Sequence, residues 1–163
     1  EPAGDVASRA KIAFGFVQTT GAGLGMLAMG PLMARWGRRR TFAVMHVAAL
    51  VMTLVVCWVP GYFASYTLLL CLLPIFGFFA QGIHAGYAVY FPELFPTHLR
   101  ATGAGFCFNT GRILAAPVLI WLSAWMKSAF ALPVAISVLG GLFLLGLVVL
   151  LFLPETKGQD LPE

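Results

Sequence analysis

Polar side chains are scarce within the apolar runs of this sequence, and those present share helical faces. Gln81 and His84 stand at i, i+3, with Tyr87 one more step along the same face, and Asn109 and Arg112 repeat that spacing. An earlier run carries Gln18, followed by Thr19 and Thr20. Amides, an imidazole and a guanidinium offer directed hydrogen bonds and charge, which suits recognition of an anionic or hydroxyl-rich small molecule. No nucleophile–base set accompanies them, so catalysis is not expected. Cys57, Cys71 and Cys107 all fall inside apolar runs without metal-ligand spacing and read as small hydrophobes; neither a metal nor a cofactor is expected.

Arg112 is the most informative of these residues. It lies about 11 residues into its apolar run, or roughly 17 Å at a helical rise of about 1.5 Å per residue. A charge at that depth of a bilayer costs about 2.5–3.5 kcal/mol on insertion scales, so it needs water or a partner. The acids Glu1, Asp5, Glu93, Glu155, Asp160 and Glu163 all lie in connections or tails, and none shares its depth. Arg112 therefore binds a solute, pairs with an acid on a helix outside this chain, or snorkels to the membrane edge. For Gln81 and His84 the alternative to a pathway role is a hydrogen bond between helices.

A second group is denser. Gly30-Pro31-Leu32-Met33-Ala34-Arg35-Trp36-Gly37-Arg38-Arg39-Arg40 places four arginines within six residues, between two apolar runs. That charge cannot lie in hydrocarbon, so the stretch must be a tight turn at a membrane face, and arginines beside short loops are retained on the cytoplasmic side. With the turn inside, Arg35, Arg38, Arg39, Arg40, Arg100 and Lys157 are cytoplasmic against Arg9, Lys11 and Lys127 outside, six to three. The N-terminus is then outside and the C-terminus inside, in the plasma (cytoplasmic) membrane.

The elements that must hold these groups follow from hydropathy. Of 163 residues 60% are hydrophobic and 10% charged, with mean hydropathy +0.91. Soluble domains are about one quarter charged, so this is an integral membrane protein, embedded in lipid. The pI of 9.3 reflects basic residues at membrane edges rather than a nucleic-acid surface. Five segments are long enough to span, at about residues 12–33, 42–59, 63–91, 101–125 and 130–153, followed by a cytoplasmic tail, 154–163. Pro74 with Gly77, and Pro117, offer bends. No segment shows the alternation of a barrel strand, so the fold class is all-α, a polytopic transmembrane helical bundle. Glycines at 21, 23 and 25, at 82 and 86, and at 103, 105 and 111 mark close helix approach. The second and fifth spans carry little polarity and read as lipid-facing support, leaving the first, third and fourth to face a polar cavity.

Three motifs resemble one family. Gly30 to Arg39 resembles the G-x-L-A-D-R-x-G-R-R loop of the major facilitator superfamily of transporters. Pro92-Glu93-Leu94-Phe95-Pro96-Thr97-His98-Leu99-Arg100, running into Ala101-Thr102-Gly103-Ala104-Gly105, resembles the P-E-x-F-P-T-x-x-R-x-x-G-x-G stretch of its sugar-porter and organic-acid branches. Pro154-Glu155-Thr156-Lys157-Gly158 is similar to the P-E-T-K-G after the last helix of the sugar porters. The resemblance implies that the five spans are helices eight to twelve, a partial C-terminal half of the major-facilitator fold. It also implies an inner gate built from Gly30, Gly37, Arg38, Arg39, Glu93, Arg100 and Glu155, whose complementary charges tie helix ends in one conformation. The motif's Asp position is Ala34 here.

Two readings follow. One is a secondary active transporter of a small polar solute, a sugar or organic acid, by alternating access and open to proton or ion coupling, with Gln81, His84, Arg112, Asn109 and Gln18 along the pathway. Members of the superfamily rock two halves about a central site, so this segment needs N-terminal helices in cis or in trans. The other is a non-transporting truncated product, or a membrane subunit whose partner supplies those helices.

Overall fold

The structure is a computed structural model, and it describes residues 8–63, 65–159 and 162. Glu1, Asp5, Asp160 and Glu163, placed by sequence in the tails, lie outside the described residues. Five helices long and apolar enough to cross a membrane follow one another: α1 (Ser8–Trp36), α2 (Arg38–Tyr62), α3 (Tyr66–Glu93), α4 (Arg100–Ala129) and α5 (Leu132–Phe152). No strand occurs among the described residues. The protein is thus an all-helical, multi-pass integral membrane bundle.

Helices α1, α2 and α4, and the C-terminal end of α3, run past the bounds that hydropathy alone suggests, whereas α3 begins three residues later, at Tyr66, and α5 falls just inside its expected bounds. Pro60, Gly61 and Tyr62 complete α2, Pro92 and Glu93 complete α3, and Met126 to Ala129 complete α4. Polar or kink-prone residues end the apolar window before they end the hydrogen-bonded helix. The first turns of α1 are wound as a π-helix over Lys11–Val17. α3 and α4 remain continuous through Pro74 and Pro117. Only α5 is divided, at Gly141 between Leu132–Gly140 and Leu142–Phe152, where the Gly141 N–H is shared by the carbonyls of Ser137 (3.2 Å) and Val138 (3.0 Å).

Close packing is set by small residues on α1 and α3. Gly21 and Gly25, four apart and so on one face, lie against the backbone of Pro74 and Phe78, and a Cβ at either would overlap those carbonyls. Gly77, a bend candidate in the sequence, is instead the opposing small residue, packed on the backbone of Gln18. Lipid gives helices no hydrophobic reason to associate, so backbone proximity of this kind holds the pair together. Gly23, Gly105 and Gly111 face open space.

The core lies toward the arginine-rich end, where Met29 and Met33 of α1, Phe42, Met45 and Ala49 of α2, Ile83 and Tyr90 of α3 and Leu150 of α5 are buried together. Phe42 stacks on Tyr87 at 5.2 Å and meets the Tyr90 ring edge-on at 5.8 Å. α4 touches only α3 and the first half of α5 among the described elements. Its outer flank, with Phe106, Ile113, Ile120 and Trp121, is open.

Candidate functional site

At the arginine-rich end the chain passes from α1 to α2 through a single non-helical residue, Gly37, with φ 91° and ψ 163°. That φ is cheap only for glycine. The turn aims the first N–H groups of α2, which have no partner within the helix, at the tail. Glu155 takes them: its carboxylate accepts from Arg38 N at 2.8 Å, Arg39 N at 3.0 Å and Lys157 N at 3.1 Å. An anion at a helix N-terminus also meets the positive end of the macrodipole. Partial burial works against the charged form of Glu155, yet these three donors and the Arg38 charge outweigh it and hold the carboxyl below its ordinary range.

The Arg38 side chain turns to the end of α3 instead. Its Nε donates to Glu93 Oε2 at 2.9 Å and a terminal nitrogen pairs with Oε1, giving a bidentate, largely shielded ion pair. Thr156 Oγ1 donates to the same Oε2 at 2.5 Å. The Tyr90 hydroxyl donates to the Pro154 carbonyl at 2.7 Å, and Lys157 Nζ donates to the Arg35 carbonyl at 2.6 Å. Residues 154–157 therefore form a clasp joining the end of α1, the start of α2 and the end of α3.

The gate residues expected from sequence divide in this geometry. Gly37, Arg38, Glu93 and Glu155 meet in the clasp. Arg39 contributes its backbone N–H, while its side chain lines an adjoining cleft with Leu147 and Leu151. Arg100 stays apart, donating to Thr97 Oγ1 at 3.4 Å, and its buried Nε has no partner among the described residues. Gly30 faces open space, so no contact there demands a glycine. Sequence reasoning missed Tyr90 and Thr156; Tyr90 continues the three-residue rhythm of His84 and Tyr87, which was an available signal.

Deeper in the bundle, a cavity of about 660 Å³ opens between α2, α3, α4 and α5. His84 and Arg112 both line it, with Tyr87, Tyr90, His46 and Phe108. Arg112 lies over the Phe108 ring, 4.9 Å from its centroid, one turn away on α4. His46 Nδ1 donates to the Phe42 carbonyl at 2.8 Å, which leaves Nε2 as an acceptor. Its ring fits only because Gly146 has no side chain, since a Cβ there would overlap Nε2. α2 and α5, expected from sequence to be support facing lipid, thus also wall this cavity. His46 is one of the few polar residues of its span, and in the sequence it reads only as a minor exception, because one imidazole scarcely alters the mean hydropathy of a span.

The other pathway candidates lie elsewhere. Gln81 is half-buried on α3 and does not line the cavity. Asn109 is exposed and bonds back to the Gly105 carbonyl at 2.8 Å. Gln18 sits in the α1–α3 seam against Gly77.

Comparison with known proteins agrees with this architecture. The family described as sugar (and other) transporter matches residues 8–163. The chain is 29% identical over 142 residues to the inner membrane metabolite transport protein YhjE of Escherichia coli, covering 86% of this chain and 32% of that protein. It is 30% identical over 156 residues to a probable 4-methylmuconolactone transporter of Cupriavidus pinatubonensis, covering 94% of this chain and 35% of the relative. The synaptic vesicle 2-related protein of Xenopus laevis is 32% identical over 149 residues, covering 85% of this chain and 24% of its own length. The chain thus spans about a third or less of these relatives. With five apolar helices, a charged clasp at one membrane face and a family match along nearly its whole length, the chain belongs to the sugar (and other) transporter family of the major facilitator superfamily.

Proposed function

We propose that this chain is the C-terminal part of a secondary active transporter that carries a small organic acid by alternating access. The observation that carries the reading is the shared placement of His84 and Arg112 on a cavity whose remaining wall is mostly aromatic and aliphatic. A guanidinium binds carboxylates bidentately, and apolar walls suit an acid with a compact hydrocarbon body better than a polyhydroxylated sugar. The 4-methylmuconolactone named for one relative is a second reason to favour small metabolites of this kind. Further helices, in cis or from a partner subunit, would pack on the open flank of α4, which carries Phe106, Ile113 and Ile120. We place the clasp in the cytoplasm, following the distribution of Lys and Arg, where it would hold helix ends together in one state and release them in the other.

The test is uptake by vesicles containing the complete transporter with Arg112→Ala or Arg112→Lys. Loss of a charge-assisted hydrogen bond of about 1.5–3 kcal/mol predicts that apparent affinity for carboxylate solutes falls by roughly ten- to a hundredfold in Arg112→Ala. Arg112→Lys would retain part of it. Carboxylate uptake unchanged in both variants overturns the assignment.

A further inference from the structure

Two shallow clefts at the arginine-rich face share Arg40. One is lined by Arg35, Trp36, Arg40, Val44 and Lys157, and the other sets Arg39 and Arg40 beside Leu147, Leu150 and Leu151. Their cations are unspent. Among the described residues the ion pair at this face is Arg38–Glu93, and the Glu155 carboxylate is engaged by three backbone N–H groups. No carboxylate among the described residues pairs with the side chains of Arg35 or Arg40. Lys157 Nζ gives one hydrogen to the Arg35 carbonyl and retains two more.

The surroundings are apolar and continue away from the charge. Val44, Val47 and Val51 follow Arg40 along one face of α2 and are 48%, 48% and 50% exposed, while Leu151 beside the second cleft is 70% exposed. Trp36, at 50% exposure, has the amphipathic ring that settles at the headgroup level of a bilayer. A cationic rim at the membrane boundary with a greasy stripe running inward matches one kind of molecule in both charge and shape. We infer that Arg35, Arg40 and Lys157 hold the phosphate of an anionic phospholipid, one of whose acyl chains lies along Val44, Val47 and Val51. An acidic protein segment would satisfy the cations but not the stripe, which lies in hydrocarbon.

Native mass spectrometry of the full chain, stripped of lipid in detergent and then given palmitoyl-oleoyl phosphatidylglycerol or phosphatidylcholine, tests this. Phosphatidylglycerol should be retained preferentially, with a retention that falls as salt is raised. Arg35→Gln and Arg40→Gln should each weaken it about fivefold, as expected for about 1 kcal/mol per basic residue near an anionic headgroup. Lys127→Gln, the same charge change at the opposite end of α4, should leave it unchanged. Equal retention of the two lipids by the unaltered chain overturns the inference, as does an equal loss with Lys127→Gln. Inorganic phosphate in millimolar excess should not displace the lipid; displacement would assign the cations to a free anion and overturn the lipid assignment.

Discussion

Gly37 and Glu155 compete for the same space: a Cβ placed on Gly37 would lie 2.8 Å from Glu155 Oε2. The glycine is required twice, once by its φ of 91° and once by the carboxylate that rests against it. Gly37→Ala should therefore cost about 1–3 kcal/mol from backbone strain alone and also push Glu155 off the α2 terminus. Thermal unfolding in detergent measures the sum. If Gly37→Ala and Glu155→Ala were combined, the losses should be less than additive, because the second change removes the obstacle. Full additivity would show that the two residues do not meet.

Glu155 predicts a dependence on pH with a definite sign. Its folded pKa lies below the ordinary carboxylate value of 4.5, so its contribution to stability is complete above that value. The contribution disappears as the pH falls through the depressed folded value. Glu155→Gln removes the charge and presents an N–H₂ group to the α2 amides, for an expected cost of about 1 kcal/mol at neutral pH. The gap in melting temperature between the two proteins should close as the pH is lowered below 4.5. A gap that stays constant across that window would exclude Glu155 as the titrating cap.

Arg38 and Glu93 should be energetically coupled. Both side chains are largely shielded, at 17% and 14% exposure, so the pair is worth more than an open surface salt bridge. A double-mutant cycle with Arg38→Ala and Glu93→Ala should return a coupling of about 1–2 kcal/mol. Arg38→Lys should recover only part of it, because an ammonium cannot reproduce the two-point contact. Coupling within error of zero would mean that the clasp rests on its other contacts, those of Glu155, Tyr90, Thr156 and Lys157, and not on this ion pair.

The legible and illegible parts of this protein separate on physical lines. Helix number was readable because hydrocarbon thickness demands about 20 apolar residues per crossing. Arg38 and Glu93 were legible because the motifs that carry the family resemblance bring opposite charges to one membrane face. The same reasoning grouped Arg100 with them, since charge patterning gives height in the membrane but not lateral position, and Arg100 stands beside Thr97 instead. The capping by Glu155 could not be read, because its partners are backbone N–H groups that every residue except proline possesses. The role of His46, a minor polar exception in its span, was illegible for a related reason: its place in the cavity depends on Gly146, which is 100 positions along the chain.

The α1–α3 seam offers the sharpest contrast between equivalent substitutions. Gly25 faces the Phe78 carbonyl with no room for a Cβ, whereas Gly23, two residues earlier on the same helix, has nothing within 4 Å. The obstacle at Gly25 is backbone, so no side-chain rotation can relieve it, and the helices must separate. Separation loses the contacts of Gly21 and Gly77 as well, because all three lie in one seam. Gly25→Leu should therefore cost at least the 1–3 kcal/mol typical of overpacking, with broadened or lost unfolding transitions in detergent. Gly23→Leu should stay within about 0.5 kcal/mol of the unaltered chain, because it adds apolar surface to a face with space for it. Similar stabilities for the two variants would mean that the close α1–α3 contact does not exist in the membrane protein.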